Sequence, residues 1–303
     1  MDLPARDLTV AYPGPVVVTE ATVEAAPVQA LAALFDDGLP APRPGEPLPP
    51  LWHWAALATW PGARGTGPDG HPATGGFLPD VGRPRRMFAG GSVRFAAPLL
   101  VGSTLRREQQ VLSVTPKSGR QGDFVVVVVE TRLSGPDGAP ALVERQDIVY
   151  RDPPPPTGGP APATDPLPLE PALLVREAAG CWRFGTDPTT LVRFSSATGN
   201  GHRIHYDWPY ATAVEGYPGL VVHGPLMTLA MAEVLRLEDG GAPVRAVEHR
   251  NRRPLFCGRP ARIVVDGGTG GRRELALSDE DRPGVPNGTL TVEVGDPGPP
   301  RVR

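Results

Sequence analysis

Phe194-Ser-Ser-Ala-Thr-Gly-Asn-Gly-His-Arg-Ile-His-Tyr-Asp207, with His223-Gly-Pro-Leu226 close behind it, runs a polar, histidine-bearing loop into a Gly-Pro pair. That pair opens Pro225-Leu-Met-Thr-Leu-Ala-Met-Ala-Glu-Val-Leu-Arg-Leu237, apolar on nearly every side until its last turn. Proline suits the first turn of a helix, where its missing N–H costs nothing. A helix apolar all round has to be buried. The loop therefore brings an imidazole to the N-terminus of a buried helix. Such a pair suits chemistry in which a proton moves while negative charge builds on a carbonyl oxygen.

What buries the helix is legible on either side of it. The β-branched run Phe124-Val-Val-Val-Val-Val-Glu130 reads as a central strand covered on both faces. Strands are also predicted at 91–97, 104–114 and 141–150, then at 244–251, 260–266, 272–278 and 288–294, with Gly- or Pro-rich turns between them. Further helices are predicted over Pro27–Phe35 and Pro50–Trp60. Several antiparallel strands with few helices point to an α+β sheet wrapped around a helix.

The chain reads as two related halves. Pro98, Leu99, Gly102 and Arg106 recur as Pro254, Leu255, Gly258 and Arg262, each pair 156 residues apart. An offset near half the chain length points to duplication. Between the halves, Asp152-Pro-Pro-Pro-Pro-Thr-Gly-Gly-Pro-Ala-Pro-Ala-Thr-Asp-Pro-Leu-Pro168 cannot be a helix or an inner strand. It reads as a semi-rigid linker joining 1–151 to 169–303. The Gly/Pro-rich segment 62–86 belongs to the first half alone and reads as an inserted loop, a lid over the site.

Composition narrows the function classes. Of 303 residues, 30 are Lys or Arg and 33 are Asp or Glu, a net charge of −3 that argues against a general nucleic-acid binder. Cys181 and Cys257 have no CxxC or metal spacing, which suits a reducing compartment. No secretory leader and no apolar run of membrane-spanning length appears, so a cytoplasmic protein that does not engage the membrane is expected. A homodimer is among the assemblies open to such a chain.

The motif set resembles the MaoC-like enoyl-thioester hydratases and dehydratases. Their signature is Gly-Asp-x-Asn-Pro-aliphatic-His, then an Asp, an aromatic-Ala pair and His-Gly-x-Leu. Gly199, Ile204, His205, Asp207, Tyr210-Ala211 and His223-Gly224-Pro225-Leu226 match it. Asn200 stands where that family has its catalytic Asp, and His202-Arg203 where it has Asn-Pro. The variant string is similar to the branch holding the 3-methylfumaryl-CoA (mesaconyl-CoA) hydratases and the type 2 hydroxyacyl-thioester dehydratases. Pro50-Leu-Trp-His-Trp54, Gly67-Pro-Asp-Gly-His-Pro72 and Pro84-Arg-Arg-Met-Phe-Ala-Gly-Gly91 carry that likeness into the first half.

The resemblance implies a double hot-dog: two antiparallel sheets, each wrapped around a central helix, as a pseudo-dimer with the reactive loop in the second half. It implies reversible hydration of an enoyl-CoA, with a short branched dicarboxylic acyl group. A longer acyl chain on coenzyme A or acyl carrier protein is the alternative, and a non-catalytic thioester-binding module is the alternative from another class. His205 is the expected acid–base group, because imidazole titrates near neutrality. Asn200 either orients the water or makes a turn. The Gly224 N–H is the expected oxyanion donor. Asp207 is expected to cap the next turn and His223 to brace the loop, while His53 and His71 read as structural. Arg203 either meets a substrate carboxylate or stands in solvent. Arg85, Arg86 and Arg252, with Arg83, Arg250 and Arg253, are set either on coenzyme A phosphates or in solvent. No cofactor and no metal are expected, since the thioester itself acidifies the α-position.

Overall fold

The computed structural model describes residues 10–11, 14–75, 77–119, 122–152, 166–268 and 271–295. The first half contributes β1 (Val10–Ala11), β2 (Val17–Thr22), α1 (Ala25–Phe35), α2 (His53–Ala56), β3 (Arg85–Phe95), β4 (Thr104–Gly119), β5 (Gly122–Ser134) and β6 (Pro140–Arg151). The second contributes β7 (Leu174–Ala178), β8 (Cys181–Phe184), α3 (Pro188–Thr198), α4 (Gly224–Glu238), β9 (Val244–Asn251), β10 (Ala261–Asp266), β11 (Arg272–Asp279) and β12 (Gly288–Val294). Most of the proline-rich linker lies outside the described residues.

The strands form one antiparallel sheet in the order β1-β4-β5-β6-β3-β9-β12-β11-β10-β8-β7, with β2 also on β4. Strands of the first half occupy one side of this order and strands of the second the other. They meet where β3 pairs with β9, Gly91 opposite His249. A Cβ at Gly91 would stand 2.1 Å from the Arg145 carbonyl oxygen and 3.1 Å from His249 Nε2, so the seam closes only around glycine. The two expected sheets are thus continuous edge to edge, because hydrogen-bonding β3 to β9 leaves neither half an open edge at the join.

α4 is the buried helix. Leu226, Met227, Leu229, Ala230, Met231, Val234 and Leu235 are all buried, against Leu275, Leu277, Leu290 and Val292 from the sheet. Each large side chain buried there stabilises the fold by about 1.5–3 kcal/mol. Among the described residues the first half has no counterpart. Subtracting the 156-residue offset from the bounds of α4 gives 68–82, whose described residues form turns and bends with no helix. Prolines at 68, 72 and 79 and glycines at 70, 75 and 82 deny it a helical ladder. The expectation of one central helix per half therefore fails in the first half, where α1 and the four-residue α2 pack instead. The helix predicted over Pro50–Trp60 shrinks to that one turn.

α3 leads into the reactive loop. Asp187 caps it, its Oδ1 accepting the Thr190 N–H at 2.7 Å, and Gly199 ends it at φ +60°. Among the described residues no helix is long and apolar enough to cross a membrane.

Candidate active site

The loop from Gly199 to Asp207 is held at both ends. Its middle, Arg203–His205, is a single helical turn. Val221 N donates to the Ile204 carbonyl at 3.0 Å, and Leu220–Val222 is tied to Leu255–Cys257 by two further backbone bonds. This frame fixes His205. Its Nδ1 lies 2.7 Å from the Val221 carbonyl oxygen, which can only accept, so Nδ1 carries the proton and Nε2 holds a lone pair. Burial lowers the His205 pKa to about 3, and the ring is neutral at pH 7.

His223 precedes α4 and is fully buried. Its Nε2 is 2.9 Å from Ser195 Oγ on α3, and its ring stacks on His205 with centroids 3.5 Å apart. No side chain caps α4, so the N–H of Gly224 stands at the positive end of the helix beside this stack. A Cβ at Gly224 would come within 2.7 Å of Asn251 Nδ2 on β9. Asn251, which the motif reading passed over, therefore lines the same spot.

Asn200 sits at the turn. Its Oδ1 accepts the His202 N–H at 2.9 Å and its own N–H reaches the Ser195 carbonyl. The side-chain oxygen is thus engaged in shaping the loop. Arg203 is engaged as well: Nε and Nη2 donate to Asp207 Oδ2 at 2.9 and 2.7 Å, and Nη1 to the Pro68 carbonyl at 3.1 Å. Its guanidinium also lies 4.2 Å from the centroid of the Tyr210 ring. Three of its five N–H donors are thus engaged inside the protein, and Arg203 braces the reactive loop. Asp207 takes part in that brace and also accepts the Tyr210 N–H at 3.2 Å, the turn-capping position expected of it.

The other arginines divide. Arg85 is paired with Glu215 and lies 4.9 Å from the centroid of Tyr217, so it too has a partner inside the fold. Arg83 pairs with Asp152, and Arg253 with Asp279. Arg252 is exposed beyond the end of β9. Arg86 is half-buried; burial is the main cause that lowers His71 and His202, and bonds from His71 the main cause that lowers Asp69, with the Arg86 charge adding to each. Among the described residues Arg86 forms no ion pair with a carboxylate, and its guanidinium stands near the Tyr150 hydroxyl.

The inserted loop of the first half docks on the reactive loop. Arg203 N donates to the Asp69 carbonyl at 2.9 Å. A Cβ at Gly70, whose φ is +87°, would fall 1.9 Å from the Gly201 carbonyl oxygen, so the two backbones touch. His71, read from sequence as structural, thereby stands on the site. Its ring centroid is 4.0 Å from that of His202, which lies 5.4 Å from His205. Four imidazoles, His71, His202, His205 and His223, run in a column contributed by both halves. Burial holds His202 and His223 well below the usual histidine range, and their neighbours in the column add to the effect.

Asp69, His71 and His202 place one ligand atom each within 4.8 Å of the others, a grouping the sequence spacing did not reveal. Three features favour proton chemistry over a cation there. Asp69 Oδ2 already bonds His71 Nδ1 at 2.9 Å, the rings of His71 and His202 lie face to face within 35° of parallel, and the Arg86 charge faces both. His53 stands apart from this group, bonded to buried Glu144 at 3.3 Å. A groove of about 710 Å³ lined by Leu48, Phe95, Leu99, Leu235 and Val244 opens at the far end of α4 from Gly224, away from the imidazoles.

Comparison with known proteins gives the family and the fold. Residues 51–257 match the model of the family described as hydroxyacyl-thioester dehydratase type 2. The mesaconyl-C(4)-CoA hydratase of Chloroflexus aurantiacus is 40% identical over 268 residues, 88% of this chain and 90% of that one. A solved MaoC-like dehydratase superposes with a TM-score of 0.65 at 13% identity, over 93% of this chain and 98% of that one. A Mycobacterium tuberculosis protein described as having a double hotdog fold does so at 0.54 and 16% identity, over 93% and 95%. The chain thus has the double hot-dog fold and belongs to the hydroxyacyl-thioester dehydratase type 2 family.

Proposed function

We propose that this protein is a hydro-lyase that reversibly hydrates an α,β-enoyl-CoA thioester, and that its substrate is a short, branched dicarboxylic acyl-CoA such as mesaconyl-C(4)-CoA. The observation that carries the reaction is the neutral His205 imidazole, its Nδ1–H held by the Val221 carbonyl, beside the uncapped N-terminus of α4. The substrate class is supported by the relative at 40% identity.

In the forward direction water attacks the β-carbon while His205 Nε2 takes one of its protons. The electron pair of the double bond shifts toward the thioester oxygen. The Gly224 N–H and the helix dipole stabilise the enolate that forms. The imidazolium then returns its proton to the α-carbon, so both hydrogens and the oxygen of water end in the product. His205 is restored at each turnover. The steps need no cofactor, and coenzyme A enters only as part of the substrate.

The test is a panel of enoyl-CoAs, with crotonyl-CoA and enoyl groups on acyl carrier protein beside mesaconyl-C(4)-CoA, followed by loss of the conjugated-thioester absorbance. Turnover highest on the dicarboxylic thioester is expected. Preference for a longer chain or for the carrier protein would make the chain a hydroxyacyl-thioester dehydratase of that specificity. Binding without turnover on every substrate would make it a thioester-binding module.

A further inference from the structure

We infer that Asp69 and His71 act as a second catalytic pair for the hydration proposed above: His71 Nε2 holds the attacking water beside His205, and Asp69 positions His71. The geometry that carries this is the juxtaposition of the docked first-half loop with the second-half histidines.

The loop is built to present these two side chains. Gly67 N donates to the His71 carbonyl at 2.7 Å and Ala73 N to the Gly65 carbonyl at 2.8 Å, closing a tight turn with Asp69 near its tip. Asp69 then grips His71 twice. Oδ1 accepts the His71 backbone N–H at 3.0 Å, and Oδ2 accepts from Nδ1 at 2.9 Å. A carboxylate is an acceptor only, so the Nδ1 proton is fixed and Nε2 is left as an acceptor. Burial opposes it, but the bonds from His71, with a smaller contribution from Arg86, hold the Asp69 carboxyl below its usual range, which keeps it in the accepting form. The face of His71 rests on His202, and the Gly70–Gly201 contact sets the loop against the reactive loop with no room to spare.

The need for such a pair arises from Asn200. An amide does not titrate, and its oxygen already serves the His202 N–H. One imidazole, His205, can move the proton, but a water with a single acceptor is poorly aimed. With His71 as second acceptor, one hydrogen of the water goes to His205 Nε2. The other stays on oxygen, hydrogen-bonded to His71 Nε2, and remains in the product hydroxyl. His71 neither gains nor loses a proton, so the balance of the reaction is unchanged. The groups facing His71 are Asp69, Arg86, His202 and, across the column, His205 and His223.

The decisive variant is Asp69→Asn. It keeps the oxygen that takes the His71 N–H but turns an NH2 toward Nδ1. That reverses the tautomer and puts a proton on the nitrogen meant to accept from water. Turnover should fall about tenfold or more, with KM within about twofold and the melting temperature held. The ¹⁵N resonances of the His71 ring should exchange their protonated and unprotonated shifts. Unchanged turnover with the tautomer reversed would overturn the inference, as would a loss confined to KM and melting temperature. If the unaltered protein hydrates none of the panel, the hydration reading itself falls. The pair is then judged by butyryl-CoA titration: shifts at His71 that Asp69→Asn abolishes uphold it as a contact with the thioester site, and no shift at His71 removes it.

Discussion

The rings of His205 and His223 stack 3.5 Å apart and 18° from parallel, although the two residues enter from separate segments. His205 closes a turn of the reactive loop, and His223 is the last residue before α4. The stack leaves His205 little freedom. One face lies on His223, Nδ1 is tied to the Val221 carbonyl, and Nε2 remains. Loss of that nitrogen should remove the proton transfer and little else. For His205→Ala we expect hydration to fall by about a hundredfold or more. Circular dichroism should keep the wild-type spectrum. A folded variant with near-normal turnover would take the acid–base role away from His205.

Asn200 separates a chemical role from a structural one. Asp at this position can accept the same His202 N–H, whereas Leu cannot. Asn200→Asp should hydrate within a few-fold of wild type, and Asn200→Leu should lose most turnover together with thermal stability, because the turn loses its bond. The comparison needs steady-state kinetics beside a melting curve. Full activity in the Leu variant would show that the bond is dispensable.

The sheet and the buried helix were legible because their signals are local. The valine run of β5 is continuous, and β9 to β12 fall within a residue of where the pattern put them, whereas the short β7 and β8 went unread. α3 was missed although Asp187-Pro188 is a capping signal, since Thr, Ser and Val weaken its helical pattern. The prolines of 68–82 had that stretch read as part of an inserted loop, while the internal duplication still argued for a central helix elsewhere in the first half. The His205 loop was visible as a motif. The column was not, because the contact of His71 with His202 depends on how two distant loops dock, and no spacing in the sequence encodes it.

Gly224 is constrained by more than its amide. Alanine keeps the N–H but presses a methyl group against Asn251 Nδ2 and Phe88. Gly224→Ala should lower turnover on the order of tenfold, because the amide is displaced from where the enolate oxygen forms. Asn251→Ala in the same chain removes the obstruction and should restore part of the loss. If the double variant is as slow as the single one, crowding by Asn251 is not the cause.

The column makes the fold sensitive to acid. Burial lowers His205 to about 3 and His249 to about 4, and holds His202 and His223 well down. The unfolded chain takes up protons near pH 6.5 that the folded chain refuses, so stability is lost as pH falls from there toward the folded values. Each such histidine contributes a slope of roughly 1.4 kcal/mol per pH unit once the unfolded form is protonated. Glu233 opposes one of them: burial raises it to about 8, so between its ordinary value and 8 it favours folding as pH falls. Burial raises Glu215 and Asp147 as well, but the five lowered histidines, His71 among them, outnumber these three carboxyls. Calorimetry should show the melting temperature falling from pH 7 to pH 5, and a flat profile would mean these rings titrate normally.

Arg203 and Arg86 divide the roles that sequence alone had left together. A dicarboxylic acyl group needs a cation in the pocket, because an unpaired buried charge is costly. Arg203 directs three of its N–H donors to Asp207 and the Pro68 carbonyl, and its loss should slacken the reactive loop for every substrate alike. Arg86 forms no ion pair with a carboxylate among the described residues, and its charge reaches Asp69, His71 and His202 of the imidazole column. Arg86→Gln should therefore raise KM for mesaconyl-C(4)-CoA about tenfold or more while changing crotonyl-CoA, which ends in a methyl group, much less. Arg203→Gln should lower turnover on the two by similar factors. Kinetics of both variants on both thioesters decide the matter. A selective loss in Arg203→Gln would return the carboxylate to Arg203, and equal losses in Arg86→Gln would leave Arg86 as part of the imidazole column's electrostatics.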